Sequence, residues 1–386
     1  MSGDGLHVMI AAGESSGDML GADLMVALRQ MDSSVKISGL GGKAMETEGL
    51  ESLFPMADIA VMGIAEILPR LPSLLRRINE MAAYVIDQDP NVLVLIDSPE
   101  FAHRVAKKVK AIKPELPVIT YVAPTVWAWR QSRAAKMKSY MDHILSVLPF
   151  EPQVFRSLNG PDCTYVGHSA VHRMGSGKEG AAFRSKYGFG ADTIIAILPG
   201  SRMSEIRRLL PIYRDVVHSL EAELEGHHLV IPAVEHLHEH IDAEVSKWRL
   251  PVTITTGEED KLGLFHSAYC ALVASGTVSL ELALVGLPMV VAYKMDPLME
   301  YVMPRLIRSP SVVLPNLILD RPLVPEFLTD RCRADLVAEA FSALVKNQGG
   351  LRDYQIEGFK EVVELMQPSG GSPSRTAALK ILELAV

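Results

Sequence analysis

The sequence predicts an α/β protein built from two Rossmann-like, doubly wound domains that face each other across a cleft. Short apolar runs alternate with helical patterns almost from end to end, which is how parallel sheets covered by helices on both faces read in sequence. The apolar runs fall into two sets of about five. At 386 residues, with 48% hydrophobic and 22% charged residues and no low-complexity tract, the chain is long enough and apolar enough for two full cores.

In the first half the expected strands are His7 to Ala12, Val35 to Leu40, Val92 to Asp97, Val118 to Val122 and Ile144 to Leu148. In the second half they are Thr193 to Leu198, His228 to Pro232, Val252 to Thr255, Cys270 to Ala274 and Met289 to Tyr293. A boundary falls near Gly167-His168, before the Gly-rich Met174 to Lys178. Ligands of such sheets sit at the carboxyl ends of the strands, so the cleft between the two sheets is the expected site.

A net charge of −8 argues against a general nucleic-acid binder. The basic runs Arg104 to Lys110 and Arg130 to Lys138 remain, and the first reads as a solvated helix face. Cys163, Cys270 and Cys332 are scattered without metal-ligand spacing, which fits a reducing compartment and no disulfide framework. No signal peptide and no apolar run long enough to cross a membrane are visible, so a cytoplasmic protein is expected.

The chemistry is organised around Cys270 to Glu281. A buried strand stops at Ser275-Gly276-Thr277 and a helical pattern begins. Gly276 lets a ligand approach the backbone, the hydroxyls of Ser275 and Thr277 can cap the helix or bond a phosphate, and the helix start favours an anion. Glu281, one helical turn deeper on the same side, is placed to accept hydrogen bonds from a ribose. Strand Thr193 to Leu198 ends in Pro199-Gly200-Ser201-Arg202, a second turn of the same kind with a guanidinium that can grip a phosphate bidentately. Two such turns in one half-chain point to a diphosphate ligand.

In the first half, strand one runs into Gly13-Glu14-Ser15-Ser16-Gly17-Asp18 and the second turn reads Gly39-Leu40-Gly41-Gly42. Neither is a dinucleotide fingerprint or a P-loop, although two Gly-rich turns side by side could cradle a phosphate. Strand Val92 to Ile96 delivers Asp97 to the cleft. The stretch Tyr121 to Arg130 carries Trp127 and Trp129 behind Pro124 and reads as a cleft wall that stacks on sugar faces. Ile64, Ile67, Leu68, Leu71, Leu74 and Leu75 form an apolar cluster broken by Pro69 and Pro72 and flanked by Arg70, Arg76 and Arg77. The prolines argue against one regular helix there, and the cluster suits a membrane or acyl-chain contact as well as a bent core helix. Two further motifs are decoys. Gly167-His168-Ser169-Ala170-Val171 lacks the second Gly of a hydrolase elbow, and His236, His238, Glu239 and His240 read as a solvated helix rather than a zinc site.

With these motifs in place the chain resembles the lipid-A-disaccharide synthase family of bacterial GT-B glycosyltransferases. The resemblance runs in order through AGESSGD (Ala12 to Asp18), VMGIAEIL (Val61 to Leu68), LIDSPEF (Leu95 to Phe101), YVAPTVWAWR (Tyr121 to Arg130), LPFE (Leu148 to Glu151), YVGH (Tyr165 to His168), LPGSR (Leu198 to Arg202), ASGTVSLE (Ala274 to Glu281) and LPNL (Leu314 to Leu317). Ala123 stands where the family pattern has Ser, and Ser169 varies after His168. The resemblance implies a GT-B fold with an acceptor-side domain of residues 1–168 plus 368–386, whose C-terminal helix crosses back, and a UDP-sugar domain of residues 169–367. It implies inverting transfer from UDP-2,3-diacylglucosamine to 2,3-diacylglucosamine 1-phosphate, giving a β-1,6-linked disaccharide and UDP without cofactor or metal. Asp97, Arg202 and Glu14 are then the catalytic candidates. Gly200, Ser201, Arg202, Ser275, Gly276, Thr277, Glu281 and Asn316 would hold the donor. Ser16, Trp127, Ile64, Leu68, Leu71 and Leu75 would meet the lipid acceptor. The implied setting is peripheral, on the cytoplasmic surface of the inner membrane, with a homodimer as an expected state. A GT-B sugar-nucleotide epimerase without a lipid acceptor is the rival reading.

Overall fold

The computed structural model describes residues 5–59, 64–175, 177–296, 300, 309–368 and 370–385, the side chains of residues 64–70 excepted. The chain divides into two compact units, Met1–Ser169 with Gln367–Val386, and Ala170–Met366.

The first unit is a parallel sheet of six strands in the order β2-β1-β3-β4-β5-β6. The strands are β1 (His7–Ala12), β2 (Lys36–Leu40), β3 (Val92–Ile96), β4 (Val118–Tyr121), β5 (His143–Ser146) and β6 (Asp162–Tyr165). Alternate residues of β1 enter opposite cores because a strand's side chains alternate faces. Met9 and Ala11 join Leu93 and Leu95 under α3 (Ile64–Gln88) and α4 (Pro99–Ile112), and Val8, Ile10 and Ala12 join Val94 and Ile96 under α1 (Ser15–Met31). The helix Pro373–Leu384 covers that second face, placing Ala377, Ala378 and Ile381 in the same core. Both faces are covered, which is why the central strands read as unbroken apolar runs.

The second unit repeats the plan, with strand order β12-β11-β10-β7-β8-β9. Its strands are β7 (Ile194–Leu198), β8 (His228–Ala233), β9 (Val252–Thr256), β10 (Cys270–Val273), β11 (Met289–Tyr293) and β12 (Glu326–Leu328).

Three expectations are corrected. Each sheet has a sixth strand, β6 and β12, which the apolar-run criterion passes over because these edge strands are half-exposed and mixed in polarity. The fifth strand ends at Ser146 rather than Leu148, because the backbone N–H of Leu148 donates to Glu151 Oε2 at 3.1 Å and turns the chain. One helix, α3, spans Ile64 to Gln88 through Pro69 and Pro72. Both prolines lie in its first half, so the turns that follow keep their hydrogen bonds, and Leu74, Ile78, Met81, Ala82 and Val85 seat that part in the core. Among the described residues no helix is long and apolar enough to cross a membrane.

Candidate active site

Each sheet has a point where the chain reverses its direction of winding, and that is where ligands of open α/β sheets bind. In the second unit the chain runs from β7 outward to β8 and β9, then returns to β10 on the other side of β7, so the switch lies between β7 and β10. The turns after these two strands are the two anion-type turns of the sequence. Both line a cavity of about 630 Å³, together with residues after β8 and β9.

The two turns are not equivalent. After β7, the Glu205 carboxylate folds back over the start of α9 (Met203–Ser219). Its Oε2 accepts from Ser201 N at 3.1 Å and Arg202 N at 3.3 Å, and its Oε1 accepts from Arg202 Nη1 at 3.1 Å. Gly200 adopts a φ of +109°, and a Cβ there would come within 2.4 Å of Glu205 Oε2. The glycine therefore makes room for an internal carboxylate, and the expectation that these backbone N–H groups cradle a phosphate is corrected: the protein's own anion holds them. Arg202 nevertheless keeps a side chain 67% exposed in the cavity lining.

After β10 the turn is open. Thr277 is the N-cap of α13 (Val278–Leu284) and makes no side-chain capping bond. Ser275 Oγ donates to Val312 O at 3.3 Å. A Cβ built on Gly276 would meet nothing within 4 Å, so a ligand can reach this backbone. Glu281 lines the same cavity and is held by Lys261 from α12 (Glu258–Ser267), Nζ to Oε2 at 3.0 Å. Sequence reasoning missed Lys261, whose run Glu258-Glu259-Asp260-Lys261 looks like a solvated face. Asn316 is not in the lining: its Oδ1 accepts from Leu323 N at 3.0 Å and Val324 N at 2.8 Å, and its Nδ2 donates to Val324 O at 2.9 Å. A buried amide used in this way pins its own loop.

In the first unit the switch lies between β1 and β3, and the structure brings Glu14, Ser16 and Asp97 to it. Asp97 and Ser98 are consecutive non-glycine residues in the left-handed region, with φ of +55° and +45°. Each such residue costs on the order of 1 kcal/mol, and strain of this kind is retained where the surroundings over-determine it. Here a Cβ at Gly13 would lie 2.3 Å from Ser98 Cβ, so the two turns are in contact. Ser16 Oγ donates to Asp97 Oδ2 at 3.3 Å and Ser98 N donates to Asp97 Oδ1 at 2.9 Å. The Gly-rich turn after β2 is no phosphate cradle. Asp18, buried at the start of α1, already accepts from Gly42 N at 2.7 Å, Ala44 N at 2.9 Å and Met45 N at 3.1 Å.

Trp127 is half-buried, edge-on to Phe150 at 5.6 Å between centroids, and donates from Nε1 to Glu151 Oε1 at 3.3 Å. Burial pushes the Glu151 carboxyl up to about 8, against the bonds from Leu148 and Trp127. In the apolar cluster Leu74 is buried, Leu71 half-buried and Leu75 exposed, while the side chains of Ile64, Leu68 and Arg70 lie outside the described residues. Arg77 is committed to Asp58 and Glu80 and stacks on Phe54. Among the described residues no group of three or more His, Cys, Asp and Glu side chains is placed to hold a metal, and His236, His238 and His240 are no exception.

Two Rossmann-like units in one chain, each with its own switch point at the carboxyl ends of a parallel sheet, define the GT-B class of fold. A Neisseria meningitidis UDP-GlcNAc 2-epimerase solved with UDP-GlcNAc has the same fold, with a TM-score of 0.63 at 11% identity over 93% of this chain and 99% of that one. The family described as lipid-A-disaccharide synthetase matches residues 8–381, and the chain belongs to it. It is 41% identical to lipid-A-disaccharide synthase of Nitrobacter hamburgensis over 98% of this chain and 95% of that protein. With the corresponding protein of Rhodospirillum centenum it shares 42% over 98% and 94%. The chain is therefore a hexosyltransferase of lipid A biosynthesis, and the epimerase reading keeps only a distant likeness of fold.

Proposed function

We propose that the chain transfers diacylglucosamine from UDP-2,3-diacylglucosamine to the 6-hydroxyl of 2,3-diacylglucosamine 1-phosphate in one inverting step, without metal or cofactor. The observation that carries this reading is Asp97, held in left-handed backbone at the first unit's switch point with one bond from Ser16 and one from its own turn. An Asp carboxylate oxygen takes the proton as O6 attacks the donor's anomeric carbon. The bond from that carbon to the diphosphate breaks and UDP leaves with the electron pair. The Ser275–Thr277 turn and Arg202 receive the developing charge, and Glu281 takes the ribose hydroxyls. Glu14, at the start of α1, is the alternative base. The lipid substrates favour work at the cytoplasmic surface of the inner membrane, and exposed Leu75 beside exposed Arg76 on α3 supports a contact there.

The test is direct. Protein incubated with both lipid substrates should yield the tetraacyl disaccharide 1-phosphate and UDP in equal amounts, followed by mass spectrometry. Epimerised UDP-sugar with no disaccharide would overturn the reading.

A further inference from the structure

A second cavity, of about 360 Å³, lies in the first unit between α4 and residues 130–140. Arg104, Lys107, Arg130, Arg133 and Lys136 line it against a single carboxylate, Glu100. In a chain of net charge −8 such a gathering is not a consequence of composition. Arg104, Lys107 and Lys108 are exposed on α4, and the first two also line this cavity. Lys110 is used on Asp142, Nζ to Oδ2 at 2.7 Å, whereas Arg104 and Lys107 turn toward the second basic run. Glu100 offsets only part of the charge, lying 3.0 Å from Arg133 Nη2 and 3.9 Å from Arg130 Nη1.

His103 and Tyr140 form the buried wall of the cavity. His103 is 9% exposed, and its buried Nδ1 has no hydrogen-bond partner. Its ring packs edge-on against buried Tyr140 at 5.7 Å, with Lys107 Nζ 4.8 Å from the tyrosine ring. Burial first, and the Arg133 charge second, push the imidazole down to about 4, so the ring is neutral at pH 7. The neutral ring adds no charge of its own, so the field in the cavity is set by the arginines and lysines around it.

We propose that this cavity is a phosphate-monoester site and that, on the transferase reading above, it takes the anomeric phosphate of the acceptor. A compact dianion matches several converging donors and the bidentate fork of Arg104 or Arg133, whereas a single concave cavity does not fit an extended polyanion. The position fits as well. α4 begins directly after Asp97-Ser98, and a rise of 1.5 Å per residue puts Arg104 about 10 Å along the axis from Asp97. One hexose ring plus the reach of an arginine side chain spans that gap, leaving the 6-hydroxyl at the carboxylate and the phosphate at the cations.

The experiment uses the full chain and the double variant Arg104→Gln, Lys107→Gln. By calorimetry, wild type should bind glucosamine 1-phosphate and the variant should lose about tenfold or more, with UDP affinity unchanged. In turnover, KM for the phosphorylated acceptor should rise by a similar factor with kcat nearly unchanged, and an acceptor lacking the phosphate should show no difference between the two proteins. Loss of glucosamine 1-phosphate binding in the variant of a protein that transfers nothing would uphold this site while rejecting the transferase reading. Unaltered affinity and KM in a variant that still transfers would overturn the site. So would loss of binding to phosphatidylglycerol vesicles with glucosamine 1-phosphate affinity intact, which would assign the cations to a lipid headgroup instead.

Discussion

Lys261 on α12 and Glu281 on α13 meet at 3.0 Å in the lining of the second unit's cavity, with side chains 29% and 14% exposed. The pair joins the residues after β9 to those after β10, so the lysine fixes the carboxylate that a ribose would bond. Glu281→Gln should weaken UDP binding by about 1–3 kcal/mol, the range for a polar contact left badly matched. Lys261→Met keeps the stem and removes the charge, and it should weaken UDP through Glu281 rather than independently. A double-mutant cycle by calorimetry should then give a coupling of about 0.5–3 kcal/mol. UDP affinity unchanged in Glu281→Gln would reject this placement of the ribose.

How far the sequence reveals the site depends on what each motif leaves visible. The end of β10, Gly276 and Glu281 announce a βα turn, and Asp97 ends an unmistakable buried strand. The other two Gly-rich turns look like anion cradles because their backbone is of that kind. What fills them is a carboxylate from elsewhere in the chain: Glu205 reaches back three residues to Arg202, and Asp18 crosses from α1 to the start of α2 (Lys43–Thr47). Local pattern gives the shape of such a turn but not whether another side chain occupies it. The roles of Lys261, Asn316 and His103 stay out of sight for a related reason, since they are set by partners beyond the local pattern or by burial that a polar letter does not show.

The internal carboxylate at Ser201 and Arg202 can be tested by replacing it. Glu205→Ala leaves two helix-start N–H groups without an acceptor and should lower stability by about 0.5–2 kcal/mol, while Glu205→Gln should lose less. If the vacated position is an anion site, inorganic phosphate should restore the melting temperature of the Ala variant more than it raises that of wild type. Thermal unfolding in phosphate and in chloride at matched ionic strength measures this, and equal shifts for both proteins would remove Glu205 as the stand-in anion.

Glu151 gives a pH dependence whose sign is fixed. Its carboxyl is raised in the folded state to about 8 from an ordinary value of 4.5, so between these values the folded protein holds a proton that the unfolded chain has released. The associated stability is fully present below the unfolded value and is lost as pH rises through about 8. Glu151→Gln keeps an acceptor for Trp127 Nε1 and carries no ionisable proton. Its stability should therefore fall less than that of wild type between pH 5 and 8.5, by denaturant unfolding at each pH. Parallel pH profiles would show that Glu151 is ionised in the native protein.

Asp97 carries the sharpest prediction. It accepts one bond from Ser16 Oγ at Oδ2 and one from Ser98 N at Oδ1, and an Asn side chain of the same shape keeps the second through its amide oxygen while its Nδ2 can donate to the Ser16 hydroxyl, which turns to accept. Asp97→Asn should therefore fold with the same strained turn, and stability should change little. It cannot take the acceptor's proton, so kcat should fall about 10²- to 10⁴-fold, the range for a positioned base. UDP affinity should be retained, since the donor cavity belongs to the other unit. Ser16→Ala removes one of the two bonds that aim the carboxylate and should give a smaller loss in kcat with the same UDP affinity. Turnover close to wild type in Asp97→Asn would move the role to Glu14, and Glu14→Gln would then be the variant to show the loss.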